Sequence, residues 1–250
     1  MSDRSDSAEA IDEAYRAGRR EFMGVTLEVG PGALVPRAET ELLGRTAARI
    51  LADMQPPPGE SALTVVDMCC GSGNLACGLA AADARLRVFA ADLTDGCVTL
   101  ARRNVAALDL GARVSVHQGD LFDAFAGDAA AGALAGAVDV VVANPPYIST
   151  ARLAKDRATL LEREPIEAFD GGPYGISVHQ RLVRDAFAVL RPGGWLLFEI
   201  GLGQERQVKL LFDRAKTYGG LEFVADADGQ PRVAVARRPP DQTNKEPSHR

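Results

Sequence analysis

The sequence lacks features that would assign the protein to several classes. It has no run of 18 apolar residues within its 250 residues, so we expect no membrane span. Residues 1–20 are charged and polar and contain no apolar signal core, which favours a cytoplasmic location. Histidine occurs three times, and the three positions form no ligand or triad pattern.

Cysteine is also scarce, and the chain carries no net positive charge. The four cysteines, Cys69, Cys70, Cys77 and Cys97, fit no zinc spacing, so no metal site is predicted. We interpret them as small, buried, reduced thiols. The formal net charge of −6 argues against a nucleic-acid partner, because such a partner usually requires a basic face.

Apolar residues make up 46% of the chain, which is enough for one α/β domain with a small appendage. Residues 1–54 are interpreted as a short helix, a hairpin and a lid helix, and residues 55–61 as a proline-rich linker. Residues 62–238 form the main domain. Residues 239–250 are a polar tail that we expect to be disordered.

Three small elements are predicted in the N-terminal part. Residues 11–21 can form one short helix. Residues 25–29 alternate between apolar and polar, and the turn at 30–32 leads to a second short strand at 33–35, which predicts a hairpin. Acidic residues follow Pro36 and start a helix that continues to about Met54.

From Leu63 onward, short apolar runs alternate with helical stretches, and this pattern predicts a Rossmann-like α/β fold. We expect a mostly parallel, seven-stranded sheet with helices on both faces. The predicted strands lie at 63–68, 87–91, 113–117, 138–142 and 195–200, with an antiparallel pair at 221–224 and 232–236. The predicted helices lie at 74–82, 95–108, 175–190 and 204–217, with a weak helix or excursion at 124–137 and a long connection at 149–173.

Polar residues and glycines stand where four of these predicted parallel strands end. Gly71 and Gly73 follow the first strand, Asp92 the second, Asp120 the third and Asn144 the fourth. Ligands bind at the carboxyl ends of strands in such sheets, so we predict a ligand site there. Taken singly, Asp92 and Asp120 could equally be helix caps or turn residues.

The glycine turn after the first strand is compatible with two kinds of adenosine-containing ligand, a dinucleotide or S-adenosylmethionine. Its spacing fits a dinucleotide-binding GxGxxA pattern. Asp92 lies 25 residues beyond Asp67, a distance that suits hydrogen bonding to a ribose diol. Asp120 can accept a hydrogen bond from the amine of adenine. No acid or base for hydride transfer is apparent, and an adenosine site followed by Asn144-Pro145-Pro146-Tyr147 favours S-adenosylmethionine.

Asn144 ends an apolar strand and precedes two prolines, which restrict the backbone to an extended conformation. Its amide, the nearby carbonyls and the flat ring of Tyr147 indicate a socket for a planar group that carries an N–H. A rigid exit from the strand with no chemistry is the other interpretation.

Together these residues resemble the class I methyltransferases that modify exocyclic or amide nitrogens. Within that class, the chain resembles the release factor glutamine methyltransferase family from about Phe22 to Arg237. The matching stretches are the glycine loop, 34–41 (Leu-Val-Pro-Arg-Ala-Glu-Thr-Glu), 144–148, 163–165, 191–194, 198–201, Gln204 and 230–233.

The resemblance implies S-adenosylmethionine as cofactor, S-adenosylhomocysteine as product, and a role for some of the matching residues. Asn144 and the carbonyl of Pro145 would take the two hydrogens of the substrate nitrogen, and Tyr147 would pack on its planar group. The cofactor-binding residues would be Asp67, Cys69, Gly71, Gly73, Asn74, Asp92, Leu93, Asp120, Leu121 and Asn144. Lid or substrate residues would be Arg37, Glu39, Thr40 and Glu164, although each stretch could also be an ordinary helix start or loop anchor.

We therefore expect an S-adenosylmethionine-dependent N-methyltransferase that acts on an amide or other planar nitrogen. The chain departs from the family at three places. Members of the family carry an N-terminal helical bundle, whereas about 20 residues precede Phe22 here. They usually have a glycine at the position of Cys69 and an acidic residue at the position of Tyr174. These departures favour a small molecule or specialised peptide in a biosynthetic pathway as the substrate.

Several alternatives stay open at this point. One is a release factor glutamine methyltransferase. Another is a cyclase or lyase that consumes the cofactor and releases methylthioadenosine. An adenine methyltransferase of nucleic acid, a binding module without catalysis and a nicotinamide oxidoreductase complete the set.

Overall fold

The structure, a computed structural model, describes residues 8–127, 134–160 and 166–241. Helices in this part are α1 (Ala8–Ala17), α2 (Ala38–Ala52), α3 (Asn74–Ala82), α4 (Asp95–Ala107), α5 (Thr150–Leu160), α6 (Ser177–Val189) and α7 (Glu205–Ala215). Strands are β1 (Arg19–Phe22), β2 (Val25–Glu28), β3 (Leu63–Met68), β4 (Leu86–Asp92), β5 (Val114–Gln118), β6 (Val138–Ala143), β7 (Leu190–Glu199), β8 (Gly219–Ala225) and β9 (Pro231–Arg237). None of these helices has the length and apolar character needed to cross a membrane.

Seven of the described strands form one sheet in the order β5-β4-β3-β6-β7-β9-β8. The pairs from β5 to β7 are parallel, and β9 is antiparallel to both of its neighbours. This architecture confirms the predicted α/β class. The chain moves outward from β3 to β4 and β5 and then returns to β6 on the other side of β3. A crevice at the carboxyl ends of β3 and β6 is the usual ligand position in such a sheet.

Two hydrophobic clusters cover the two faces of the sheet, because successive residues of a strand point to opposite sides. In β3, Val65 belongs to the cluster that also contains apolar residues of α2, α3 and α4, such as Leu43. The next residue, Val66, belongs to the other cluster, with residues of α6 and α7 such as Leu182. The helices therefore hold the sheet from both sides and leave its carboxyl edge to the loops.

The hairpin near the N-terminus differs from the prediction. β1 pairs with β2 across a two-residue turn at Met23 and Gly24, whose φ angles are 48° and 83°. Two positive φ angles are what a tight hairpin turn requires, and glycine adopts them readily. The predicted short helix is present as α1, but it ends at Ala17, four residues before the predicted end. Pro31 and Gly32 do form a turn, but the hairpin predicted around that turn was wrong. Residues 33–35 form no strand, and Ala33 instead packs against α4.

Three further stretches differ from the sequence expectation. Helix α5 occupies residues 150–160, which were expected to be part of a long connection. β7 begins at Leu190, before Pro192-Gly193-Gly194, because a register shift opposite β6 lets the strand pass through these residues. The weak helix predicted at 124–137 falls partly outside the described residues, and its described start belongs to a 3-10 turn at Leu121–Phe125.

Asp139 is the polar exception in the apolar strand β6, and it is buried. Its Oδ2 accepts the backbone N–H of Thr64 in β3 at 2.7 Å, and its Oδ1 pairs with the guanidinium of Arg191 in β7. One carboxylate thus links three neighbouring strands at the amino end of the sheet, far from the ligand edge.

We expect Asp139→Ala to lower the free energy of unfolding by about 2–4 kcal/mol, because it leaves the Thr64 N–H and the Arg191 guanidinium without their acceptor. Asp139→Asn should lose less, since its amide oxygen still accepts one of these bonds. Urea denaturation followed by circular dichroism measures both values. An alanine variant as stable as the wild type would show that this link is unimportant.

Candidate active site

A cavity of about 320 Å³ opens at the carboxyl ends of the parallel strands. This volume lies at the lower end of the range typical of small-molecule sites. Twelve of the residues predicted from the sequence line it: Arg37, Glu39, Thr40, Cys69, Gly71, Asn74, Asp92, Leu93, Asp120, Leu121, Asn144 and Tyr147. The fold therefore brings together, in one place, residues that are more than 100 positions apart in the sequence.

Four predicted site residues are not part of this lining. Asp67 is fully buried, and its Oδ2 accepts the N–H of Ala76 in α3 at 2.9 Å. Gly73, with φ 77°, precedes α3, and a Cβ there would lie 3.1 Å from the Cβ of Ala101. Pro145 is buried beside the cavity, and Glu164 lies outside the described residues. Asp67 and Gly73 therefore support the glycine loop from behind.

The loop after β3 and the end of β4 are joined through Asp92. Its Oδ2 accepts the N–H of Gly71 at 2.9 Å, and its Oδ1 accepts the N–H of Thr94 at 3.2 Å. Two backbone donors thus fix the orientation of the carboxylate. Each carboxylate oxygen has further lone pairs, so Asp92 can still accept hydrogen bonds from a ligand in the cavity.

Asp120 has a partner that the sequence did not indicate. The Nη1 of Arg181, in α6, lies 2.9 Å from each carboxylate oxygen of Asp120, and both residues line the cavity. The ion pair leaves about half of the Asp120 side chain exposed. Leu121, the next residue, has a φ of 53°, an uncommon conformation for a residue with a branched side chain. This end of the cavity is held by a charge pair and a strained backbone.

At the other end, a chain of hydrogen bonds begins at Asn144. Its Nδ2 donates to the Oγ1 of Thr40 at 3.0 Å, and Thr40 donates to the Oε2 of Glu199 at 2.8 Å. The hydroxyl of Tyr147 donates to the Oε1 of Glu199 at 3.2 Å. The motif after β6, the start of α2 and the end of β7 are therefore joined through one buried carboxylate.

Burial and nearby charges determine the chemistry of this carboxylate. Burial raises the pKa of Glu199 to about 7, and the guanidinium of Arg232, 3.8 Å away, opposes that rise. The same Arg232 nitrogen lies 3.7 Å from Glu39. Burial, with the charge of Glu199, raises the pKa of Tyr147 well above its ordinary value. Tyr147 is therefore a neutral hydrogen-bond donor at physiological pH.

Sequence reasoning assigned no role to Glu199, Arg232, Gln204 or Arg181. The first three lie in stretches that carried the family resemblance, so a signal was present without a function attached to it. Gln204 donates to the carbonyls of Tyr147, at 2.9 Å, and Gly175, at 3.1 Å, and its Oε1 accepts the N–H of Gly201. It thus fixes the loop that carries Tyr147. Arg181 lies within a helix and had no local signal.

Comparison with known proteins agrees with this geometry. A family model described as "Methyltransferase small domain" matches residues 46–164. The release factor glutamine methyltransferase of Moorella thermoacetica is 37% identical over 224 residues, which are 90% of this chain and 74% of that protein. The protein of the same name from Geobacter sulfurreducens is 36% identical over 200 residues, 80% of this chain and 64% of that protein.

Among solved structures, a methyltransferase from Pyrococcus furiosus aligns with a TM-score of 0.57 at 16% identity. The alignment covers 86% of this chain and 90% of that one. At this low identity the likeness concerns the fold alone. It agrees with the class I methyltransferase architecture of the sheet.

Asp67 should make stability depend on pH. Burial raises its pKa from 3.8 to about 8, so between these values the folded protein keeps a proton that the unfolded chain releases. The free energy of unfolding therefore falls as the pH rises through this range. Asp67→Asn should reduce the fall by at least about 1 kcal/mol, since one pKa unit corresponds to about 1.4 kcal/mol. Urea denaturation at pH 5, 7 and 8 tests this, and an unchanged slope in the variant would contradict it.

Proposed function

Since the chain belongs to the family of release factor glutamine methyltransferases, we propose that it methylates the side-chain amide nitrogen of a glutamine in a release factor. The chain is an S-adenosylmethionine-dependent methyltransferase, as its family and relatives indicate. The observation that carries the finer assignment is the placement of Asn144 in the cavity, beside the glycine loop, with its amide held by Thr40.

The residues of the cavity fit the cofactor. Asp92 would hold the ribose diol, since its carboxylate is oriented by two backbone N–H groups and keeps free lone pairs. Gly71 would lie against the methionine part. Its φ is 55°, and a Cβ at this position would meet no described atom within 4 Å, so the backbone itself faces open space. The cofactor supplies an activated methyl group and leaves the chain to orient the acceptor nitrogen.

The order of the strands suits this division of roles. Asp92 ends β4 and Asn144 follows β6, and the glycine loop of β3 lies between them. Neighbouring strands are about 4.8 Å apart, so Asp92 and Asn144 stand about 10 Å from each other along the edge of the sheet. The ribose site and the acceptor site are thereby separated by the loop that would hold the rest of the cofactor.

Asn144 would act by orientation and by charge. The nitrogen of an amide is a poor nucleophile, because its lone pair is delocalised into the carbonyl. The Oδ1 of Asn144 would accept an N–H of the substrate and aim the nitrogen, which can contribute several kcal/mol. The same oxygen stabilises the positive charge that develops on that nitrogen during transfer. The ring of Tyr147 would pack against the plane of the amide.

The second hydrogen of the substrate nitrogen needs an acceptor of its own. The resemblance assigned it to the carbonyl of Pro145, a buried residue that is not among those lining the cavity. Asn144 is therefore the group of this pair that lines the cavity.

A release factor is favoured over the small molecule that the sequence analysis placed first. The relatives cover 80–90% of this chain and carry that substrate in their names. The two single-residue departures from the family differ in their position relative to the site. Cys69 lines the cavity, and its φ of 58° lies in the left-handed region that glycine adopts readily. Tyr174 is 81% exposed and lies outside the cavity lining.

Incubation of the protein with methyl-labelled cofactor and a purified release factor of the same organism should place label on one glutamine. Mass spectrometry locates that residue, and replacing it with asparagine should abolish labelling. One S-adenosylhomocysteine should form per methyl group. Methylthioadenosine as the product would instead indicate a cyclase or lyase, and label on nucleic acid alone would indicate an adenine methyltransferase.

Asn144→Ala should reduce turnover at least about 100-fold, comparable to the loss of one preorganised group that stabilises transition-state charge. Cofactor affinity, measured by titration calorimetry with S-adenosylhomocysteine, should stay within about tenfold, because the ribose site at Asp92 is intact. Near-normal turnover in this variant would remove Asn144 as the orienting group.

A further inference from the structure

We propose that Thr40 and Glu199 are positioning residues, which set the direction of hydrogen bonding so that the Oδ1 of Asn144 faces the acceptor nitrogen. The inference rests on the proposed function and deepens it. It concerns how the protein distinguishes the two orientations of one side-chain amide.

The two orientations of the Asn144 amide have almost the same shape, because the NH₂ group and the oxygen differ little in size. Packing alone therefore decides poorly between them. Their chemistry is opposite, since the oxygen accepts an N–H of the substrate whereas the NH₂ group would repel it. Something in the protein has to select the oxygen for the cavity side.

Thr40 can make that selection because a hydroxyl has only one hydrogen. That hydrogen is donated to the Oε2 of Glu199, at 2.8 Å. The oxygen of Thr40 can then only accept from Asn144, so the NH₂ group of Asn144 must face Thr40, at 3.0 Å. The Oδ1 is left for the cavity, and it accepts no hydrogen bond from the described part of the chain.

Glu199 determines the direction because it is surrounded by donors. Thr40 from α2, Tyr147 after β6 and Arg232 from β9 all approach its carboxylate oxygens. An ionised carboxylate can only accept, so it forces the Thr40 hydroxyl to donate toward it. Glu199 is 2% exposed and Thr40 is 1% exposed, which keeps water from offering an alternative partner.

Glu199→Gln should invert the direction of the hydrogen bonds that join Glu199, Thr40 and Asn144. Arg232 and the Tyr147 hydroxyl are donors on the Oε1 side, so the amide oxygen of the new glutamine belongs there. Its NH₂ group then faces Thr40 and donates to it. The hydroxyl of Thr40 must turn its own hydrogen toward Asn144, and the Oδ1 of Asn144 is drawn away from the substrate.

The experiment compares four variants with the wild type, with labelled cofactor and the release factor as substrate. Thr40→Val and Glu199→Gln should each lower kcat about tenfold or more, while the affinity for S-adenosylhomocysteine stays within about threefold. Thr40→Ser keeps the hydroxyl and should recover at least about a third of wild-type kcat. The double variant of Thr40→Val and Glu199→Gln should lose no more kcat than the worse single variant, because both substitutions act through the same series of hydrogen bonds.

Thr46→Val is the matched control for the loss of a threonine hydroxyl. Thr46 lies in the same helix, is also buried, and donates only within the helix, to the carbonyl of Leu42 at 2.8 Å. This variant should keep wild-type kcat. Equal losses in Thr46→Val and Thr40→Val, multiplied losses in the double variant, or no recovery in Thr40→Ser would each overturn the inference.

The dependence of kcat on pH gives a readout that a merely structural role would not change. Burial raises the pKa of Glu199 to about 7. When the pH is below this value, Glu199 is a neutral acid that can donate a hydrogen bond to Thr40, so the hydroxyl of Thr40 is free to point toward Asn144. The other groups facing Glu199 are Arg232, Glu39 and Tyr147, and His179 bonds to its backbone carbonyl. Wild-type kcat should therefore fall as the pH falls through about 7. Glu199→Gln should lack this step, and a step that persists in the variant would contradict the inference.

A measurement without substrate separates this inference from the proposed function. The side-chain amide signals of Asn144 in a ¹⁵N NMR spectrum, assigned by their loss in Asn144→Ala, should shift in Thr40→Val and Glu199→Gln but not in Thr46→Val. If the wild type leaves the release factor unlabelled while these shifts occur, the substrate assignment fails and the inference stands. If labelling occurs and the signals do not move, the inference fails.

Discussion

The buried carboxylate of Glu199 is the interaction on which the candidate site depends. A carboxylate at the end of a central strand is unfavourable inside a protein unless donors surround it. The donors come from three places, since Thr40 is 159 residues away in the sequence, Tyr147 is 52 residues away, and Arg232 is on the antiparallel strand β9. Satisfying one charge therefore fixes the start of α2, the loop after β6 and the neighbouring strand against one another.

The two ends of the sheet use buried acids differently. At the amino end, Asp139 is compensated by Arg191 and a backbone N–H, and it is not among the residues that line the cavity. At the carboxyl end, Asp67 and Glu199 have raised pKa values because burial outweighs their hydrogen bonds. Groups with strongly perturbed pKa values cluster at functional sites. Asp67 and Glu199 both stand at the carboxyl edge, where the topology also places the ligand crevice.

In the function proposed above, cofactor binding and acceptor orientation would use different kinds of contact. The proposed cofactor end is built from backbone, through the left-handed glycine loop and the N–H groups that hold Asp92. The proposed acceptor end is built from side chains that are joined by hydrogen bonds through Thr40. Backbone contacts follow from the fold, and one substitution removes few of them. A series of side-chain hydrogen bonds, in contrast, can be reversed by exchanging one oxygen for an NH₂ group.

The sequence by itself determined the α/β class, the positions of the parallel strands and the polar residues at their ends. These signals are local, since each depends on periodicity or on a glycine or proline at a given place. The same local reasoning misplaced the hairpin, because residues 25–29 alternate as a strand would and residues 30–32 have the composition of a turn, while the tight turn at Met23 and Gly24 determines the pairing. It also missed helix α5. Only the tertiary structure decided that Thr40, Asn144 and Glu199 meet, and that Asp120 pairs with Arg181. Contacts between residues far apart in the chain follow from strand order and helix packing, and hydrogen-bond direction follows from those contacts.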